Sequence, residues 1–226
     1  ISTARQMAES LGRPFLHAHA LVYYASLMLR QRRYEQALEV AELALQITES
    51  FEFKNWLALA QLFRGRALVA LGEVKDGLRL ATLGISAWYS PSWHSENHTI
   101  LAAAFIDAGC TEEAHQSLIK AETFLETVGA LQYASECRRL RAVVQGLQGA
   151  SVREVDASLM SALELARAQN AHTFELHAAV DLAKLWKTSG ENERARSLLE
   201  PIYSGFTEGL DTPLLIEAKT LLSELN

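Results

Sequence analysis

The sequence is poor in the residues that interrupt or staple a chain: 226 residues include only 4 prolines, 12 glycines and 2 cysteines. Collagen, Pro/Gly-rich low-complexity chains and disulfide-stapled miniproteins are thereby excluded. Cys110 and Cys137 show no Cys-x-x-Cys spacing and no Cys/His pattern, so they read as reduced thiols packed as small side chains in a cytoplasmic protein. No run approaches the roughly 18 uninterrupted apolar residues of a membrane helix. The opening Ile1-Ser-Thr-Ala-Arg-Gln-Met lacks the basic and apolar regions of a signal peptide. A strong excess of one charge sign is also missing. The 21 Lys and Arg residues against 27 Asp and Glu give a net charge of -6, which offers no general attraction to nucleic acid or an anionic membrane. Because it opens at Ile1 on helix-forming residues, we expect the chain to be a piece of a longer polypeptide.

Catalytic signatures are equally scarce. There is no GxxxxGKS/T, no GxGxxG after a strand, no GxSxG and no HExxH, so neither an enzyme nor a cofactor is expected. His94 and His98 share a helix face near Glu96, and His115 is within reach on the next helix, which is the best approach to a metal set. No cysteine ligand or second motif completes it, and the polar first turn of a helix explains the same residues. His17 and His19 fall on opposite sides of a helix, and His172 and His177 are poorly matched for chelation. The Glu112-Glu113 pair sits where a helix begins and complements its dipole. The basic cluster Arg138-Arg139-Leu-Arg141 reads as a solvated face.

What the sequence does contain is helical periodicity. Apolar residues recur at three- and four-residue steps, predicting helices near 2–11, 14–31, 34–49, 54–71, 73–88, 93–108, 111–128, 131–147, 151–169, 172–188, 191–205 and 212–225. Start signals appear at Pro14, Thr111-Glu-Glu, Ser151 with Glu154, and Asp211-Thr-Pro. Gly72, Gly109, Gly129, Gly149 and Gly190 read as stops. Superposed, the segments repeat. A small residue follows a tight turn at Ala37, Gly77, Ala114 and Ala195, and twelve residues upstream stand Ala25, Gly65, Ala102 and Ala183. A third position holds Ala44, Gly84, Ala121 and Ile202, while Ala142 and Ala166 fit a further unit with a longer connection. Small side chains here let the two helices of a hairpin approach closely, and Met28, Leu68, Phe105 and Trp186 fill the space between hairpins. The unit spacing is about 36 to 45 residues, against 34 for a standard tetratricopeptide repeat (TPR).

This pattern of small residues resembles the TPR superfamily. The tail from His172 to Leu225 looks like the C-terminal segment of large bacterial signalling proteins, which join a class III cyclase or a winged-helix domain to a STAND-type ATPase and a TPR tail. Residues 63–85 are similar to a middle repeat of those tails, and Phe206-Thr-Glu-Gly-Leu-Asp-Thr-Pro213 matches their characteristic ending. Gly209 to Pro213 also has a local reading as a helix stop followed by a cap. The resemblance implies an all-α, right-handed superhelix of antiparallel helix hairpins. We expect one repeat domain over 1–226 with hairpins at 14–49, 54–88, 93–128, 131–169 and 172–205, and terminal helices at 2–11 and 212–225. It also implies that catalytic or DNA-binding domains lie upstream of Ile1.

In such an array the first helix of each hairpin, the A helix, lines a concave binding face. The register places on it His19 and Arg30, Arg66, then Glu96, Thr99 and Asp107, then Glu136 and Arg139, and finally His177, Lys184 and Lys187. Mixed charge with apolar patches suits a protein or peptide partner, a second copy or an adjoining ATPase or output domain better than nucleic acid or a membrane. On this reading, charge reversal at Arg66, Arg139 or Lys184 weakens partner binding and leaves the array folded. The connection Trp88-Tyr89-Ser-Pro-Ser-Trp93 is the other candidate, as an interface loop or a pocket for a small-molecule inducer; a plug between hairpins is the simpler account of it.

Overall fold

The computed structural model describes residues 10, 12–88, 90, 93–129 and 131–225. Apart from Ser10, the expected helix 2–11 lies outside them. The described helices are α1 (Pro14–Arg30), α2 (Tyr34–Ser50), α3 (Lys54–Ala70), α4 (Val74–Ala87), α5 (His94–Asp107) and α6 (Thr111–Val128). After a 3-10 turn (Leu131–Tyr133) come α7 (Ala134–Leu147), α8 (Val152–Ala168), α9 (His172–Thr188), α10 (Asn192–Ser204) and α11 (Pro213–Glu224). There is no strand among the described residues. None of the described helices is long and apolar enough to cross a membrane.

The chain divides into two compact units, 1–130 and 131–226. The first holds the hairpins α1/α2, α3/α4 and α5/α6; the second holds α7/α8 and α9/α10, followed by α11.

All five hairpin turns share one construction. The second residue past the A helix is left-handed: Arg32 at φ 58, Gly72 at 95, Gly109 at 73, Gly149 at 89 and Gly190 at 77. The following N–H then reaches back to a carbonyl in the last helical turn, as from Arg33 to Met28 (2.9 Å), Glu73 to Leu68 (2.9 Å) and Cys110 to Phe105 (2.8 Å). This closes the helix and reverses the chain in very few residues. Arg32 occupies the position at a backbone cost of about 1–2 kcal/mol that glycine avoids, so the first turn has no glycine to announce it. At the start of α8, the Ser151 hydroxyl accepts from the Glu154 N–H (3.3 Å) and the Glu154 carboxylate accepts from the Ser151 N–H (2.8 Å). At two other predicted starts, Thr111 is the first residue of α6 after Cys110 and Thr212 precedes Pro213 of α11, in both cases without a side-chain capping bond.

The small-residue register is the core. Ala25, Ala37, Ala44, Ala102, Ala114, Ala121, Ala142, Ala166, Ala183 and Ala195 are fully buried. Gly65, Gly77 and Gly84 are buried as well, while Ile202 is half-buried. In α3/α4 the approach is close enough to require glycine. A Cβ added at Gly65 would lie 2.4 Å from Ala81 N and 2.5 Å from Gly77 O, and one at Gly84 would lie 2.4 Å from Ala58 O. These neighbours are main-chain atoms and cannot rotate aside. Alanine is the better helix former by about 1 kcal/mol, yet Gly65→Ala is expected to destabilise by about 1–3 kcal/mol through overpacking. Thermal denaturation decides the sign: an unchanged or raised midpoint would refute the close approach.

Candidate interaction surface

In the first unit, the A helices α1, α3 and α5 carry a continuous chain of rings. Phe15, His19 and Tyr23 recur every four residues of α1 and therefore share a face. The turn into α3 adds Phe51 and Phe53, α3 adds Trp56, and Trp93 stands just before α5. Phe51 stacks on Phe53 (5.8 Å), Phe53 meets Phe15 edge-on (5.4 Å), and Phe15 meets Trp56 (6.0 Å). His19 stacks on Trp56 (4.5 Å) and tilts against Tyr23 (4.7 Å), which meets Trp93 edge-on (5.2 Å). The chain reaches solvent at Phe15 and Phe51, which are 49% and 53% exposed. Burial lowers the His19 pKa, and burial together with the Glu96 charge raises that of Tyr23. Trp93 joins at φ 85, rare for so bulky a side chain. Trp88 is buried, and its indole N–H has no hydrogen-bond partner. Tyr89 lies outside the described residues.

The charged candidates of this unit engage one another. Arg30 on α1 pairs with the buried Glu96 on α5 (3.6 Å), and Ser26 donates to the same carboxylate (3.3 Å). Arg66 on α3 pairs with Asp107 on α5 (2.8 Å), donates to the Tyr34 hydroxyl (3.4 Å) and lies over its ring. Thr99 is buried and donates to the Ser95 carbonyl (2.7 Å).

His94 and His98 are stacked with Phe124, at 4.3 and 6.0 Å. Among the described residues, no three His, Cys, Asp or Glu side chains are grouped as a metal site would need. Burial, then the Lys120 and His94 charges, lower the His98 pKa to about 4. An unfolded histidine takes its proton near pH 6.5. The stabilisation from keeping His98 neutral is therefore complete above about pH 6.5 and is lost as pH falls toward 4. We expect the melting midpoint to fall across that window and His98→Gln to flatten the decline; an equal slope in the variant would assign the effect elsewhere.

In the second unit, Glu136 and Arg139 on α7 form a two-pronged pair (2.7 and 2.8 Å). Arg139 also holds Asp181 on α9 (2.5 Å), and His177 on α9 lies 3.4 Å from Glu136. Glu136, Arg139 and His177 are all buried. Burial opposes the Glu136 charge, but Arg139 and His177 hold its pKa well below the usual carboxylate range. Burial likewise opposes the Arg139 charge, and Glu136 and Asp181 outweigh it. Lys184 and Lys187 reach from α9 to Glu217 and Glu224 on α11. The register thus brings charged positions together across neighbouring A helices, and several of them are interior.

That burial revises the expected result of charge reversal. Removing Arg139 strands a buried carboxylate, so Arg139→Met should cost about 3–5 kcal/mol in denaturant unfolding. Adding Glu136→Gln should restore most of the loss. A single variant as stable as the parent would contradict the burial.

No protein-family model matches the chain, and no curated protein matches it. Solved structures do. A thermophilic TPR protein of Thermus thermophilus is 19% identical, with a TM-score of 0.64 over 91% of this chain and 99% of that one. The Pseudomonas aeruginosa protein pilF is 17% identical, with a TM-score of 0.54 over 92% of this chain and 88% of that one. Nearly identical TPR-like repeats from Podosopora anserina are 17% identical, with a TM-score of 0.54 over 82% of this chain and 92% of theirs. At such identities the likeness is one of fold, and the fold of this chain is that of the TPR proteins.

Proposed function

We propose that the chain is a non-catalytic protein–protein interaction scaffold whose main docking surface is the ring chain of the first unit. The observation that carries this reading is the run of seven contacting rings in which Phe15 and Phe51 stand exposed. Large, stiff side chains of this kind dominate interface energetics because they bury much area at little entropic cost. His19 and Trp93 belong to that surface. Arg30, Arg66, Glu96, Asp107, Lys184 and Lys187 pair internally and supply the polar setting around the A-helix faces.

The biological setting we propose is the C-terminal regulatory region of a bacterial signalling ATPase, cyclase or transcription regulator, working in the cytoplasm. Its support is the resemblance of residues 172–225 and 63–85 to such tails. Partner binding would then gate the upstream output, and the coding sequence preceding Ile1 tests this directly. An ATPase, cyclase or winged-helix domain is expected there, and an unrelated domain would remove the signalling assignment.

Panning a random peptide library against the purified chain tests the scaffold itself. We expect enriched peptides with aromatic or branched aliphatic anchors, and at least about a tenfold loss of affinity in the Phe15→Ser/Phe51→Ser double variant. Peptides indifferent to that variant, or no enrichment at all, would overturn the proposed surface.

A further inference from the structure

The second unit contains a cleft of about 410 Å³, within the range of about 300–1,000 Å³ typical of ligand sites. Its apolar wall is Pro201, Ile202 and Phe206, and its polar side is Arg167, His172 and Glu175. Three elements meet there: the end of α8, the first turn of α9 and the end of α10. Phe206 opens the Phe-Thr-Glu-Gly-Leu-Asp-Thr-Pro run. α10 already ends at Ser204, ahead of that run and of the Gly209 that the sequence suggested as its stop; the Phe206 N–H donates to the Tyr203 carbonyl (3.1 Å) at the helix end, and its side chain lines the cleft.

The arginine is only partly used. Arg167 donates through Nε to Glu175 (2.7 Å), and among the described residues its two terminal nitrogens have no hydrogen-bond partner. The second Glu175 oxygen faces His172 Nδ1 at 3.7 Å, so this carboxylate is engaged on both sides. Two other arginines of the same unit show what a completed site looks like. Arg139 holds both Glu136 and Asp181. Arg194 holds Glu191 (2.9 Å) and Asp156 (3.4 Å) while lying over the Trp186 ring at 3.8 Å. Each combines one guanidinium with two carboxylates, and Arg194 adds an aromatic surface. Arg167 has one carboxylate, the Phe206 ring across the cleft, and a free outer edge.

The geometry points to a binding site for a monocarboxylate carrying an aromatic or branched apolar group. Its carboxylate would take the terminal nitrogens of Arg167, and its apolar body would lie against Pro201, Ile202 and Phe206. A guanidinium accepts two carboxylates because its five N–H groups diverge in a planar fork. A free organic acid and the C-terminal residue of a peptide offer the same chemistry. This site is independent of the ring chain of the first unit.

Amide-NMR shift mapping and calorimetry on the full chain test it with three probes: phenylacetate, its neutral analogue phenylacetamide, and a hexapeptide ending in a free phenylalanine carboxylate. The carboxylate probes are expected to shift the amides of residues 167–175 and 201–206. They should also bind at least about tenfold tighter than the amide, the margin of a charge-assisted hydrogen bond. Arg167→Gln, which replaces a half-exposed side chain, should abolish that margin without altering the far-UV spectrum. Binding of phenylacetate assigns the site to small acids, and binding of the peptide alone assigns it to chain termini. No shift at these amides with either carboxylate, equal affinity for the amide, or an undiminished margin in Arg167→Gln would overturn the proposal.

Discussion

The close approach of two helices within each hairpin is the constraint on which the rest of this structure depends. It is met by alanine or glycine at the positions where the two backbones come nearest, and α3/α4 meets it with Gly65, Gly77 and Gly84 together. Once that distance is set, each A helix turns its small side toward its partner, and bulk must go elsewhere. Met28, Leu68 and Trp186 take up that space as buried side chains. The turns obey the same economy: one left-handed residue and one reaching N–H reverse the chain in all five hairpins.

With the small side of each A helix committed inward, polar residues of A helices within the same unit meet one another. Long charged side chains on adjacent helices reach one another easily, and once buried they require a partner. Arg66 with Asp107, and Glu136 with Arg139, Asp181 and His177, are the outcome. Charge on these faces therefore contributes to joining helices. The first unit differs because α1 and α3 present a chain of rings in addition to such ion pairs. Rings satisfy one another without neutralising a partner and still leave an apolar edge at Phe15 and Phe51 for something else to cover.

The helices were legible because apolar periodicity and small-residue spacing are local signals. Elsewhere the signal was indirect, even where periodicity alone placed the turn. The α1/α2 turn uses Arg32, and the α2/α3 turn uses Glu52 at φ 55, in conformations that glycine usually advertises. Trp88 and Trp93 read as one aromatic loop, yet Trp88 is buried while Trp93 joins α1 and α3 through Tyr23. The ring chain itself went unread because its members come from residues 15–23, 51–56 and 93. The four-residue recurrence of Phe15, His19 and Tyr23 was the available hint. Only packing reveals that Trp56 slots between them.

By itself, the sequence determined an all-helical chain, the order of its hairpins and the register of small residues, since each is set by neighbours within a turn or two of helix. It also placed the charged candidates on A-helix faces. Only the tertiary structure decided which of those charges are buried and paired, that seven rings from distant segments make one surface, and that Arg167 keeps an open edge beside Phe206. Those outcomes depend on distances between residues remote in the chain. Such distances exist only after the helices have packed.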